Sequence, residues 1–351
     1  MTKTILVTGG CGFIGSNLVR LLCRKRPHWR VVNLDKLTYA GSKHNLMDLT
    51  ESKNYRFVKG DVAIRNLVFR VFEEEQPQYV IHLAAESHVD RSILDPAPFV
   101  HTNVAGTQVL LEAARAFKVE RFLYISTDEV YGDVGAEGLP CSEESIFRPA
   151  SPYAASKAAA DLLAQAYHRT YLLPILIARP CNHYGPYQFP EKLIPFMIRN
   201  ILRGDKLPLY GDGQQRRDWL YVEDGARALL AVLEQGKEGQ AYNVAAQQER
   251  PNKEVLRLLC KQMAECKRCT AEDFWATVEF VTDRPGHDFR YAMNNVRLQA
   301  ETGWFPQVTL EEGLKETVEW YLSHQDWLER TETGLYREHY DAVYVHRWEQ
   351  K

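Results

Sequence analysis

The sequence predicts an α/β fold in which a doubly wound parallel sheet is joined to a smaller, mixed C-terminal domain. Three observations predict it. Short apolar runs rich in Val, Ile and Leu alternate with amphipathic helical patterns through the first half of the chain, the signature of strand–helix–strand units. A glycine-rich stretch, Val7 to Gly15, lies between the first such run and the first helical pattern. After Arg179 the alternation gives way to segments rich in Pro, Asn, Tyr and Gly, which read as loops with a functional task.

The bulk properties bound what the chain can be. Its 351 residues allow one large or two medium domains with real cores. A net charge of −3 gives no sign of nucleic acid or an anionic membrane as partner. No apolar run approaches the roughly 20 residues that a bilayer span requires. The N-terminus enters a strand at once, so no signal peptide is expected and the cytoplasm is the expected compartment. Seven scattered cysteines, an odd number, argue against a disulfide framework and suit a reducing compartment. Cys266-Lys267-Arg268-Cys269 has no fourth ligand at a matching spacing, so it reads as a helix end and no metal is expected.

In order along the chain, Ile5-Leu6-Val7 is the first strand and Ile14, Leu18, Leu21 and Leu22 mark the apolar face of the first helix. The linking Gly9-Gly10-Cys11-Gly12-Phe13-Ile14-Gly15 has the form G-x-x-G-x-x-G, in which glycines permit a tight turn and close approach of a pyrophosphate to a helix N-terminus. That places the fold in the Rossmann type. A second strand, Val31 to Leu34, delivers Asp35 twenty residues after Gly15. A carboxylate there accepts from the adenosine ribose hydroxyls and repels a 2′-phosphate, so NAD is favoured over NADP, with neighbouring Lys36 pulling slightly the other way. Tyr55 to Lys59 reads as a strand ending at Gly60-Asp61-Val62, beside the adenine, and Leu67, Val68, Val71 and Phe72 give a helical face.

Tyr79 to Leu83 is a further strand, followed by small residues at Ala84 and Ala85 where a cofactor must pass closely. Thr102 to Phe117 reads as a helix, Arg121 to Ser126 as a central strand, Pro152 to Thr170 as a helix and Pro174 to Ala178 as a strand. Beyond the break, Leu193 to Leu202 is helical, Pro208 to Gly213 reads as a turn, and Arg216 to Val222 leads into a helix from about Asp224 to Leu233. Ala241 to Val244 reads as the sheet's last strand, Lys253 to Cys266 as a helix and Val278 to Val281 as a strand, with helices near Asn295 to Thr302 and Leu310 to His324. The segment from Thr331 has no clear period. Residues 1–180, rejoined by 218–248, are read as the dinucleotide-binding domain, and 181–217 with 249–351 as the second domain.

Acid–base groups concentrate at the end of the central strand. Thr127, Asp128 and Glu129 fall where ligands sit in parallel sheets. Successive strand residues face opposite ways, so the two carboxylates can share one pocket only if the chain turns there, and Tyr131-Gly132 supplies the turn. Tyr153 and Lys157 stand one helical turn apart, so the ammonium is expected to lie near the phenol and lower its pKa. Later basic residues near loops, Lys192, Arg217, Arg284 and Arg290, together with Tyr210, suit a nucleoside diphosphate.

These residues carry a resemblance over nearly the whole chain. The sequence is similar to extended short-chain dehydrogenases/reductases, and within them closely resembles the dTDP-glucose 4,6-dehydratases. The carrying motifs are Thr8 to Gly15, Leu34 to Gly41, Ala84-Ala85-Glu86-Ser87-His88-Val89-Asp90, Ser126 to Gly132, Tyr153 to Lys157, Tyr184 to Leu193, Arg217 to Asp224 and Asp283-Arg284-Pro285-Gly286-His287. The Asp128-Glu129 pair is the most specific of these, because related epimerases keep the Tyr and Lys but lack it.

The resemblance implies a reaction. Tyr153, helped by Lys157 and Thr127, would take the sugar 4-hydroxyl proton while C4 gives its hydride to NAD⁺. Glu129 would remove the C5 proton and Asp128 would protonate the departing C6 hydroxyl, with hydride returned to C6. It also implies a cofactor set of Gly9, Gly12, Phe13, Ile14, Gly15, Asp35, Lys36, Thr38, Asp61, Val62, Leu83, Ala84, Ala85, Ser87, Thr102, Tyr153, Lys157 and His183. The implied sugar-nucleotide set is Ser87, Thr127, Asn182, Lys192, Leu193, Pro208, Tyr210, Arg217, Asn252 and Asp283 to His287. A homodimer through a four-helix bundle, built from the helices near Thr102–Phe117 and Pro152–Thr170, is implied as well.

The sequence departs from the family at Cys181 (commonly Ser), His183 (usually Asn), Gly225 (usually His) and Ala245-Ala246 (usually two glycines). The rival readings are the same chemistry on UDP-glucose or another nucleotide sugar, a 4-epimerase or decarboxylase, and a non-catalytic NAD-binding regulator. Asp128-Glu129 argues against the second, and the intact Tyr153 and Lys157 against the third.

Overall fold

The computed structural model describes residues 3–267 and 269–331. Most of the segment from Thr331 that the sequence left unassigned lies outside the described residues, as does Arg268 of the C-x-x-C. Twelve strands are present among the described residues: β1 (Thr4–Thr8), β2 (Arg30–Asp35), β3 (Tyr55–Lys59), β4 (Tyr79–His82), β5 (Arg121–Ile125), β6 (Ile175–Pro180), β7 (Asn182–Tyr184), β8 (Leu207–Tyr210), β9 (Arg216–Tyr221), β10 (Ala241–Val244), β11 (Glu249–Pro251) and β12 (Val278–Val281). Seven of them form one sheet in the order β10-β6-β5-β4-β1-β2-β3. Every pairing in it is parallel. This is the doubly wound Rossmann arrangement, and its order reverses between β1 and β4, where a crevice opens beyond the strand ends.

Strand alternation sends side chains to two helical layers. Ile5 and Val7 pack on one face with Leu18, Leu22, Leu229 and Leu233 of the helices Phe13–Lys25 and Val222–Gln235. Leu6 and Val32 pack on the other with Val68, Phe72, Leu110, Ala160 and Ala164. The helix Phe13–Lys25 buries Leu18, Leu21 and Leu22, each worth about 1.5–3 kcal/mol. That outweighs the roughly 1 kcal/mol that Gly15 costs its first turn, so the helix tolerates the glycine its ligand loop needs.

The smaller portion has its own core of Tyr184, Ile198, Leu207, Trp219, Leu256, Leu314 and Tyr321. It contains a three-stranded sheet, β11-β9-β7, and a two-stranded one, β12-β8. Pro208, expected in a turn, instead lies in β8, which among the described residues pairs only with β12. Proline is tolerated on such an edge because no ladder donor is required of it.

The helix expected from Thr102 begins earlier. Helical turns run from Ala97, pass through a π-helical stretch at Val100–Gly106 and continue as Thr107–Ala116. Such widened turns often occur at functional sites. The helix expected from Asp224 starts at Val222. Among the described residues, no helix is long and apolar enough to cross a membrane. All seven cysteines are free.

Candidate active site

The crevice at the β1/β4 reversal continues into a cavity of about 300 Å³. Its floor is set by glycine. Gly9 has φ +73°, and a Cβ there would lie 2.6 Å from the Ala84 nitrogen. The loop after β1 therefore packs directly on the loop after β4. No side chain caps the helix Phe13–Lys25, so its first N–H groups are left for an anion.

Asp35 ends β2 and is buried; its carboxylate accepts from Cys11 N at 2.8 Å and Leu37 N at 2.7 Å. Burial pushes its pKa up against those bonds. Lys36, the cation that would favour a 2′-phosphate, is paired with Asp61 Oδ2 at 2.7 Å. Phe13, Ile14, Gly12, Gly15, Thr38, Val62, Leu83, Ala85, Ser87, Thr102 and His183 line the same cavity. A glycine cradle, an open helix end and a carboxylate one strand away fit a dinucleotide carrying free ribose hydroxyls.

The far wall carries the acid–base groups. Thr127 continues β5 in extended conformation and then caps a single 3₁₀ turn, Asp128–Tyr131, accepting from Glu129 N at 3.3 Å and donating to Asp128 Oδ1 at 3.1 Å. The turn closes on Gly132 at φ +74°, with the Arg148 carbonyl where a Cβ would stand. Because the chain turns at once, Thr127, Asp128 and Glu129 all line one cavity. Asp128 is buried, and among the described residues its Oδ2 has no hydrogen-bond partner. Burial first, and then the Glu129 charge, push its pKa up to about 8. Burial also raises Glu129, but Arg284, Lys192 and Arg217 pull it back. Neighbouring carboxyls with different partners are the arrangement that separates an acid from a base.

Tyr153 and Lys157 come from the helix Pro152–Tyr171, whose N-cap Ser151 accepts from Ala154 N at 3.1 Å. Tyr153 faces Thr127, whose hydroxyl favours the ionised phenol. The expected lowering of the phenol by Lys157 is not found: burial, followed by the Glu129 charge, raises Tyr153. The ammonium is turned away, donating to the Ile125 carbonyl and lying 4.6 Å from the Tyr124 ring centre. Burial brings Lys157 down to about 7, opposed by Asp161. Helical spacing brought the pair to one face but did not fix where the flexible ammonium points.

Of the remaining expected residues, Ser87, Asn182 and Lys192 line the cavity, with Lys192 Nζ donating to the Ser87 carbonyl at 2.9 Å. Leu193, Pro208, Tyr210, Arg217, Asn252 and Asp283 to His287 do not line it. Several form a cationic flank beside Glu129. Arg284 reaches Asp90 at 3.3 Å, Tyr210 donates to the same carboxylate at 3.0 Å, and Arg217 lies 4.2 Å from the Tyr291 ring centre. Asp283 accepts from Gln215 at 2.7 Å and holds His287 at 2.6 Å. Leu193 opens the helix Leu193–Arg203, and Asn252 opens Asn252–Lys267 with a buried, unpartnered Oδ1.

Sequence reasoning did not single out Glu191, which is buried in the cavity wall, accepts from Tyr39 at 3.0 Å and is pushed up by burial to about 7. A carboxyl between Pro190 and Lys192, itself expected at the substrate, was the available signal. It also passed over Asn103 in the π-helical stretch, which binds both backbone groups of Glu86 and the Ser156 hydroxyl.

Residues 6–317 match the model of the family described as GDP-mannose 4,6 dehydratase. The dTDP-glucose 4,6-dehydratase of Shigella flexneri is 46% identical, the match covering 98% of this chain and 99% of that protein. The crystal structure of dTDP-glucose 4,6-dehydratase from Streptomyces venezuelae with NAD bound is 44% identical, covers 94% of this chain and 100% of that one, and superposes with a TM-score of 0.87. The corresponding enzyme from Bacillus anthracis in complex with NAD is 42% identical over 94% of this chain and 100% of that one, with a TM-score of 0.86. The chain belongs to the dTDP-glucose 4,6-dehydratase family, within the wider family described by the GDP-mannose 4,6 dehydratase model.

Proposed function

We propose that this chain is an NAD-dependent hydro-lyase that converts dTDP-glucose to its 4-keto-6-deoxy product. The observation that carries the reading is the turn Asp128–Tyr131, which sets a buried carboxyl and a half-buried one, in different environments, beside Tyr153 in one cavity. An epimerase needs the tyrosine but has no use for the acid and base pair.

The C5 hydrogen of glucose is not acidic. Once C4 is a ketone, that hydrogen is alpha to a carbonyl and the C6 hydroxyl is a beta leaving group. NAD, held by the glycine cradle and Asp35, supplies the hydride acceptor for C4 and the donor for C6. Tyr153 takes the 4-hydroxyl proton, with Thr127 beside it. Glu129, whose burial-raised pKa is drawn back by Arg284, Lys192 and Arg217, takes the C5 proton. Asp128, protonated below about pH 8, gives its proton to the departing C6 oxygen. Lys192, Arg217 and Arg284 hold the diphosphate side of the substrate, with Asn182, Asn252, Tyr210 and the Asp283–His287 loop completing the nucleotide site.

In this reading residues 1–180 with 218–248 carry the cofactor and the remainder carries the nucleotide sugar. The enzyme acts in the cytoplasm, which the seven free cysteines support. It works as a homodimer paired through 97–116 and Pro152–Tyr171, where Val100 and Leu162 are exposed apolar residues. Sedimentation at micromolar protein tests the pairing, and a monomeric mass would refute it. Incubation with dTDP-, UDP-, CDP- and GDP-glucose tests the activity. 4-Keto-6-deoxy product forms fastest from dTDP-glucose, and no such product from any of the four would overturn the reading.

A further inference from the structure

Beneath the cavity lies a buried polar network that none of the chemistry above uses. Its centre is Arg179, on β6, only 2% exposed. The guanidinium forks onto Asp161, with Nε at 2.9 Å from Oδ2 and Nη2 at 3.0 Å from Oδ1. Its third nitrogen, Nη1, donates to the Tyr131 hydroxyl at 2.8 Å and to the Glu143 carbonyl at 2.9 Å. The Tyr131 hydroxyl in turn donates to Asn243 Oδ1 on β10, at 2.8 Å.

The two ends of this chain of bonds are informative. Asp161 follows Tyr153 and Lys157 at successive helical turns on the helix Pro152–Tyr171. Tyr131 is the last residue of the turn that carries Asp128 and Glu129. One guanidinium therefore ties the element bearing the C4-oxidation groups to the element bearing the elimination groups. Both must address one sugar ring, Tyr153 at C4 and the carboxyls at C5 and C6. Misplacement by about 1 Å can cost on the order of 10²-fold in rate.

We propose that the Tyr131 hydroxyl is a positioning group for the elimination step, holding the Asp128–Glu129 turn in register with Tyr153 through Arg179. The inference rests on the dehydratase reading above. Arg179 is a poor probe, because removing one partner of a buried ion pair is strongly destabilising. Tyr131→Phe is the better one, since it deletes a single oxygen and leaves both the Arg179–Asp161 fork and the ring packing on Phe147 in place.

The test compares the two half-reactions in Tyr131→Phe. On rapid mixing of the NAD-loaded variant with dTDP-glucose, reduced cofactor should appear within about two-fold of the wild-type rate. Release of 4-keto-6-deoxy product should fall about 10-fold or more, so that reduced cofactor accumulates during turnover. KM should be unchanged while kcat falls. Asn243→Ala, which removes the acceptor of the same hydroxyl from β10, should shift the balance the same way and stands in if the first variant does not fold. Equal slowing of both steps, with a lowered melting temperature, would assign the network to packing alone and overturn the proposal, as would wild-type behaviour in both steps. A wild-type enzyme that makes no product from dTDP-glucose would instead overturn the underlying dehydratase reading.

Discussion

A methyl group on Gly225 would stand inside the imidazole of His183. The ring is buried, its Nδ1 is bonded to the Cys181 carbonyl at 2.9 Å, and burial pushes its pKa down to about 4, so it is neutral. The family's usual pair, asparagine at 183 and histidine at 225, is thus replaced by one in which the ring comes from β7 and the helix Val222–Gln235 supplies the gap.

The contact predicts epistasis. Gly225→Ala should gain roughly 1 kcal/mol of helix propensity but lose about 1–3 kcal/mol to overpacking against a ring that cannot swing away, a net destabilisation. With His183→Asn present, the same substitution should become neutral or stabilising. Urea unfolding of the two single variants and the double variant measures the coupling, and additive effects would refute the contact.

The raised Asp128 pKa has a definite sign. Its ordinary value of 3.8 rises to about 8 in the fold, so the folded chain binds an extra proton between those limits. Stability contributed by this group is complete below about pH 4 and is lost as pH rises to about 8. Asp128→Asn should therefore gain stability over the wild type progressively across that window, read from melting temperatures at pH 5 and pH 8. Catalysis should fall above about pH 8 as the acid form disappears. The variant should lose most of the activity and, with it, that alkaline limb.

Asp35 ties down the loops at Cys11 and Leu37 and, in the proposed reading, also faces the ribose. Asp35→Asn keeps one carbonyl acceptor but removes the charge. It should weaken NAD by about 10- to 150-fold, the worth of a charge-assisted hydrogen bond, while improving NADP relative to NAD. Because Lys36 is held by Asp61, Lys36→Ala should leave the cofactor preference nearly unchanged. Equilibrium dialysis with both cofactors checks the pair of substitutions.

Much of this was legible in the sequence because it is local. Strand–helix periodicity, the glycine spacing and the Asp35 offset each depend on a few neighbouring residues, and the seven-stranded sheet follows from them. The Thr127–Glu129 turn was foreseeable because Gly132 marks its end. What escaped depended on tertiary surroundings. Pro208 joined a strand because β12 pairs with it only on an edge. The π-helical widening at Val100–Gly106 brings Asn103 to the Glu86 backbone, a contact seventeen residues away in sequence. The Tyr153 pKa rose because burial outweighed an ammonium that points at a carbonyl. Arg179, just past the predicted strand Pro174 to Ala178, gave no signal in the sequence, since its partners lie on three other segments.

The separation of the two half-reactions is the central claim, and Glu129→Gln measures it most directly. The substitution leaves Tyr153, Lys157 and the cofactor cradle intact. Rapid mixing with dTDP-glucose should still reduce the bound cofactor, seen as nicotinamide absorbance. Formation of 4-keto-6-deoxy product should drop about 10²- to 10⁴-fold, and C5 should exchange with solvent deuterium very slowly. Tyr153→Phe, mixed in the same way, should give no absorbance transient. A Glu129→Gln enzyme that folds, binds NAD and keeps full dehydratase activity would contradict the account.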